Sequence, residues 1–293
     1  MENNNSSSVK FPNLLSSFWL KIIGLITMAV DHIGAIAMML NKVGNSPSAL
    51  LNYNIYYALR AIGRIAFPIF AFLIIEGILH SRKSSLYVIR LFIFSFIIDI
   101  GYGLFTLITN NIFIYECSPV TTLALGASCI YFLNQQNKWL KPISLIPLII
   151  SILSALNYLP VNIEYDLYGI ILIILFYISY LLAKVFINVL SKSTGLDKDL
   201  LTDNYEFLAR KLISALLFII FALLIVFFNT SLLWNGTNLF INDAQFQLYA
   251  LLSLIPLTLY SGKRGYNATW FKYGNYLFFP LHIALIYLIF SLI

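Results

Sequence analysis

The sequence predicts an all-α polytopic membrane protein of about nine transmembrane helices, and three observations carry that prediction. Hydrophobic residues make up 60% of the 293 and charged residues only 10%, against about 25% charged in a soluble domain. Mean hydropathy is +0.86. The apolar runs reach the roughly 20 residues that cross a bilayer as a helix, far beyond the roughly 10-residue alternating segments of a membrane barrel. A helix satisfies its own backbone in lipid, so runs of this length are read as helices.

Residues 1–17 are polar, rich in Asn and Ser, and contain Pro12. That composition predicts a flexible cytoplasmic tail ahead of one transmembrane domain over 18–293. Span one runs from Phe18 to Leu40. No small-residue cleavage site follows it and Asp31-His32 lies inside it, so it is read as a retained span. Span two, Ile55 to Leu79, carries Arg60, Arg64, Pro68 and Glu76 and ends at His80-Ser81-Arg82-Lys83. Span three, Leu86 to Ile108, has Arg90 near its start and Asp99 inside. Span four, Val120 to Leu133, is short, and its start could lie as early as Ile112. Span five, Leu140 to Leu159, is interrupted by Pro142 and Pro147. Span six runs from Tyr165 to Leu190. The stretch from Ser191 to Glu206 holds both charge signs and reads as the longest exposed loop. Spans seven, eight and nine are Ala209 to Phe228, Phe246 to Tyr260 and Tyr273 to Ile293.

The net charge of +6 resembles a nucleic-acid signal until its residues are placed. Lys10, Lys21, Arg82, Lys83, Lys138, Lys141, Lys192, Lys198, Lys263, Arg264 and Lys272 fall at alternate loops, whereas the opposite loops hold Lys42 alone. Such a bias sets orientation. It places the N-terminus in the cytoplasm and the C-terminus outside, in a cytoplasmic membrane, with membrane lipid and no nucleic acid as partner. Cys117 and Cys129 suggest neither a disulfide scaffold nor a metal site.

The chemistry gathers at mid-depth. Lys21 and His32 are eleven residues apart, about 16 Å along a helix. That leaves Lys21 near the surface and His32 near the bilayer centre. His282 lies ten residues beyond Lys272, at similar depth. Arg60 and Arg64 are one turn apart on one side of span two. Three spans remote in sequence thus bring ionisable groups to a depth where they are costly and usually functional.

A neutral histidine can take a proton from an attacking hydroxyl or amine, and a carboxylate can orient its ring. Arginines can hold phosphates bidentately. Neighbouring helix positions diverge by about 100°, so Asp31 either serves this site or pairs structurally with Arg60 or Arg64. His282 follows Pro280, which frees a backbone carbonyl that the imidazole could bond. Asn275 of the same span is grouped with His282 as substrate-binding or supporting. Glu76, Arg90 and Asp99 are expected to pair between neighbouring spans. Glu164, Asp166 and Asp243 flank spans on the outer side. Three histidines without ligand spacing make no metal motif.

Several blocks together resemble the TraX family of membrane proteins. They are Lys21 to Gly34, Arg60-Ala61-Ile62-Gly63-Arg64-Ile65-Ala66-Phe67-Pro68-Ile69-Phe70-Ala71-Phe72 with Glu76-Gly77, Tyr87-Val88-Ile89-Arg90-Leu91, Tyr165-Asp166-Leu167-Tyr168-Gly169, and Tyr276-Leu277-Phe278-Phe279-Pro280-Leu281-His282. The resemblance implies a relative of the F-pilin N-terminal acetylase. It also implies a distant tie to membrane acyltransferases that modify surface polysaccharides, in which a basic residue, ten intervening residues and a catalytic histidine share the first span. Lys21 and His32 match that spacing. By that resemblance His32 is the catalyst, with Asp31 beside it. Arg60, Arg64 and Lys21 would then bind acetyl-coenzyme A or another acyl-coenzyme A.

The expected activity is acyl transfer, most simply of acetyl, in a bacterial cytoplasmic membrane. The acceptor would be a protein N-terminus or surface glycan. Two other readings use the same residues: a proton-coupled transporter, and a non-catalytic envelope or pilus assembly protein.

Overall fold

The computed structural model describes residues 14–44, 49–109, 116–228 and 246–293. The proposed tail before residue 14, the early start of span four at Ile112 and the loop residue Asp243 lie outside them. Seven segments among the described residues are long and apolar enough to cross a membrane: Ser17–Met39, Tyr53–His80, Ser84–Leu107, Lys138–Ala155, Asp166–Thr194, Lys198–Phe227 and Thr269–Leu292. Seven of the nine expected spans are thus met among the described residues. The fourth and eighth expected spans are the shorter apolar helices Pro119–Leu133 and Gln247–Thr258. At 1.5 Å per residue, the 15-residue Pro119–Leu133 helix rises about 22 Å, short of a core about 30 Å thick.

Helix α1, Ser17–Met39, is anchored at its start. Leu14 and Leu15 N–H groups donate to Leu259 O at 3.0 Å, and Ser17 Oγ donates to Arg264 O at 2.8 Å. The second expected span is not one straight helix but α2, Tyr53–Gly63, followed by α3, Ala66–His80. Pro68 explains the break. It has no N–H to offer the Arg64 carbonyl four residues back, and its ring crowds that carbonyl. Between the two helices the turn is tighter, with Ile65 N–H donating to Ile62 O at 3.2 Å. Glycines let these helices close on α1: a side chain at Gly24 would meet the Phe70 ring at 2.9 Å, and one at Gly63 would overlap the Asp31 carboxylate.

Helix α4 is Ser84–Thr109 and α5 is Pro119–Leu133. A 3-10 turn at Lys138–Ser144 leads into α6, Leu145–Ala155. The two-residue strands β1, Glu116–Cys117, and β2, Asn162–Ile163, pair in parallel ahead of α7, Asp166–Thr194. The expected exposed loop from Ser191 to Glu206 is mostly helical. Gly195, at φ +69°, ends α7 in the left-handed conformation that favours glycine. Asp197 then caps α8, Lys198–Leu201, by accepting from Asp199 N–H at 3.1 Å. A π-helical turn at Thr202–Glu206 leads directly into α9, Phe207–Phe228. After a 3-10 turn at Gln247–Ser253 come α10, Leu254–Thr258, and α11, Thr269–Leu292.

The main core joins α3, α5, α7 and α9 through Phe72, Ile130, Phe176 and Phe218. Outward residues such as Ile93, Phe96, Leu223 and Leu285 are exposed, as lipid-facing surface should be. Helix α11 packs on α1 in the same direction. Phe18 and Phe271 rings sit 4.7 Å apart near both starts, and His32 meets His282 further along.

Candidate active site

The site is built where α1, α2 and α11 meet. Asp31 points from α1 at the end of α2. Its carboxylate accepts from Arg60 Nη1 in a short ion pair and from Arg64 Nη2 at 3.4 Å. Both guanidinium groups are buried. The Pro68 break sets this up, because it ends α2 at Gly63 and turns Arg64 inward. Arg64 Nε also donates to Arg60 O at 3.4 Å. Asp31 therefore pairs with both arginines that span two offered, and it does not bond the neighbouring His32 ring.

The partner of His32 is His282. His32 Nδ1 and His282 Nε2 are 2.7 Å apart, and His282 Nδ1 lies 2.7 Å from Phe278 O. That carbonyl is one turn back on α11. It is not the Tyr276 carbonyl that Pro280 leaves without its usual donor. The Phe278 ring stacks on His282 at 4.8 Å and 13°, and Phe279 meets both imidazoles edge-on. Two histidines 250 residues apart thus form one chain of hydrogen bonds, held by aromatic walls.

The other candidates fall around this centre or away from it. Lys21 sits at the start of α1 in the field of Arg264 and Lys272. Among the described residues no carboxylate pairs with any of these three. Asn275 is half-buried on α11, seven residues and about 10 Å along the helix from His282. Asp99 does not pair with Arg90, which is exposed. Its carboxylate accepts from Ser118 N–H at 2.8 Å and Thr121 Oγ1 at 2.5 Å. Glu76 pairs with Arg210 of α9 at 2.8 Å. Asp166 is fully buried, its carboxylate accepting from Ser154 Oγ.

Two neighbours, Tyr165 and Tyr102, were not assigned to the site from sequence. Arg64 faces Glu164 and Tyr165 as well as Asp31. Tyr165 stacks on Phe67 at 4.0 Å from a left-handed backbone position, φ 65°. Tyr102 of α4 faces Asp99, Glu164 and Asp31. Of these, Tyr165 had a signal in the sequence, as the first residue of the Tyr165–Gly169 block. Tyr102 had none.

The fold and site define a polytopic membrane protein that keeps an imidazole pair and an aspartate–diarginine cluster at helix depth, an equipment suited to proton movement. The TraX protein family matches residues 16–192, and the chain belongs to it. That match takes in α1 to most of α7 but stops before α11, so the family region holds His32, Asp31, Arg60 and Arg64 and not His282. A stretch of 82 residues is 34% identical to the "probable fimbrial assembly protein FimC, serogroup H1" of Dichelobacter nodosus. The stretch covers 28% of this chain and 29% of that protein, so the chain matches less than a third of its relative's length. No solved structure matches.

Proposed function

We propose that this TraX-family protein is a membrane acyltransferase, moving an acyl group from acyl-coenzyme A to an acceptor at the outer side of the cytoplasmic membrane. The observation that carries the reading is the His32–His282 contact. It presents His32 at the depth where α1, α2 and α11 converge, next to a fixed charge cluster. Bound acyl-coenzyme A supplies an activated acyl thioester. His32 takes the proton of the attacking acceptor oxygen or nitrogen at Nε2 and can return it to the departing sulfur. Asp31 acts at one remove, by fixing Arg60 and Arg64, whose guanidinium groups favour negative charge developing nearby.

The donor's phosphates need cations that are not already committed. Lys21, Arg264 and Lys272 fit, being three positive groups at one end of the bundle with no opposing acid among the described residues. Arg60 and Arg64 fit less well, because Asp31 engages both. The donor role expected of the arginines accordingly moves to Lys21 and its neighbours, with Arg64 left to the acyl end. Lys211, Lys263 and Arg264 share the Lys21 end, through Lys211 Nζ to Tyr260 O at 3.2 Å and Ser17 N–H to Lys263 O at 2.8 Å. This gathering of positive charge supports a cytoplasmic N-terminus and donor entry from that side.

Orientation is tested with single cysteines at Arg82, Ser193 and Lys263, all exposed, in a background lacking Cys117 and Cys129. An impermeant thiol reagent added to intact cells should leave all three unlabelled. Function is tested by acyl-coenzyme A turnover with reconstituted wild type and His32→Ala, with mass spectrometry of envelope acceptors. Equal transfer by both proteins would remove His32 from the chemistry. The relative's printed name favours one second reading, a fimbrial assembly protein without chemistry. Absence of turnover in the wild type, with defective fimbriae in the deletion strain, would select it.

A further inference from the structure

We infer that His282 is the positioning residue that fixes the tautomer of His32 and thereby leaves its Nε2 as the base. The inference rests on the acyl-transfer reading for its chemistry but on hydrogen-bond parity for its structure. A backbone carbonyl can only accept. The proton between Phe278 O and His282, 2.7 Å apart, therefore belongs to His282 Nδ1. A neutral imidazole carries one N–H, so His282 Nε2 is an acceptor. The atom facing it at 2.7 Å, His32 Nδ1, must donate. His32 then holds its proton on Nδ1, and Nε2 keeps a lone pair with no hydrogen-bond partner among the described residues.

No other arrangement of two neutral rings satisfies both short contacts. The neighbouring charges do not compete for the ring, since Asp31 is turned to Arg60 and Arg64. The stacked Phe278 ring holds the His282 plane, so the chain from carbonyl to base is preset before substrate arrives. Each member has one job: Phe278 O orients His282, His282 orients His32, and His32 Nε2 faces the reaction. When Nε2 takes a proton, the Nδ1–H to His282 bond becomes charge-assisted and stronger. The imidazolium is thus stabilised by a ring in the place that a carboxylate fills in many catalytic triads.

The chain has only three histidines, His32, His80 and His282, so ring nitrogens can be assigned one by one. Full-length protein labelled with 15N-histidine in nanodiscs should show His32 protonated at Nδ1 and bare at Nε2, with His32→Ala and His80→Ala supplying assignments. A glutamine carbonyl can accept from the same Nδ1–H, whereas a lysine can only donate. His282→Lys should lose about 10²–10⁴-fold in acyl transfer, as removal of the base would. His282→Ala should lose at least about tenfold, and His282→Gln should recover most of that loss. A wild-type His32 protonated at Nε2 would overturn the inference whatever the activity. So would His282→Ala transferring as fast as His282→Gln. The expected tautomer in a wild type that turns over no acyl-coenzyme A would support the lock and defeat the acyltransferase reading instead.

Discussion

Two buried charge clusters lie along the α2–α3 segment, one near its His80 end and one at its internal break, and they differ in what lies beside them. At the α3 end, Glu76 pairs with Arg210 at 2.8 Å and accepts from Tyr260 Oη at 3.3 Å. Arg210 also lies over the Phe207 ring at 5.1 Å and near the Phe72 ring at 5.7 Å. One carboxylate meets one guanidinium, and aromatic faces close the rest. At the break, Asp31 meets two guanidiniums, Glu164 also faces Arg64, and an imidazole pair alongside ends in a nitrogen with no hydrogen-bond partner among the described residues. The first cluster fastens α3 to α9. The second lies beside an open imidazole nitrogen, His32 Nε2. Burial of charge by itself does not separate a fastening from a reaction site, whereas an imidazole nitrogen left open beside it does.

The widest separation is expected in the chemistry itself. His32→Ala should lower acyl transfer by about 10²–10⁴-fold with folding and donor binding largely kept, measured by turnover and by titration of purified protein. Glu76→Ala should do the reverse. Leaving Arg210 buried without its partner should cost about 3–5 kcal/mol of stability, read by denaturation in detergent, while activity per folded molecule persists. Equal loss of activity in both variants would dissolve the distinction between the clusters.

A smaller change sharpens it. Gly63→Ala sets a methyl group where the Asp31 carboxylate lies, so the Asp31–arginine pairing must shift at a cost of about 1–3 kcal/mol. Both stability and acyl transfer should fall together. By contrast Gly101→Ala, where a side chain would meet nothing within 4 Å, should leave both intact. The smallest effect is expected at the half-buried Lys21. Lys21→Ala should weaken donor binding by about two- to fivefold, the scale of one partly solvated ion contact, and Arg64→Ala should weaken it less while lowering the rate of transfer more. Isothermal titration together with single-turnover kinetics would resolve the two.

The helices were legible because lipid imposes a long apolar run on every spanning segment. The runs at Phe18, Ile55, Leu86, Leu140, Tyr165, Ala209 and Tyr273 each correspond to a long apolar helical segment, of which those at Ile55 and Leu140 are broken within. The errors came where composition and length part company. Pro119–Leu133 is as apolar as a span yet shorter than one among the described residues, and it is buried among α3, α7 and α6. The charged stretch after Ser191 was read as a loop, although polar residues at the ends of α7 and α9 continue the helix as readily as they leave it.

By itself the sequence determined the class, the family resemblance and the short set of residues able to do chemistry, because few ionisable groups survive in apolar helices and each stands out. Only the tertiary structure decided how they pair. Spacing along a helix fixes depth, but not which face meets which neighbour. Asp31 could have served His32 or the arginines until Gly63 and the Pro68 break brought α2 against it. His282, beyond the region that matches the family, could have bonded any carbonyl freed near Pro280. Its approach to His32 depends on α11 running alongside α1, a contact between the two ends of the chain that no local pattern encodes.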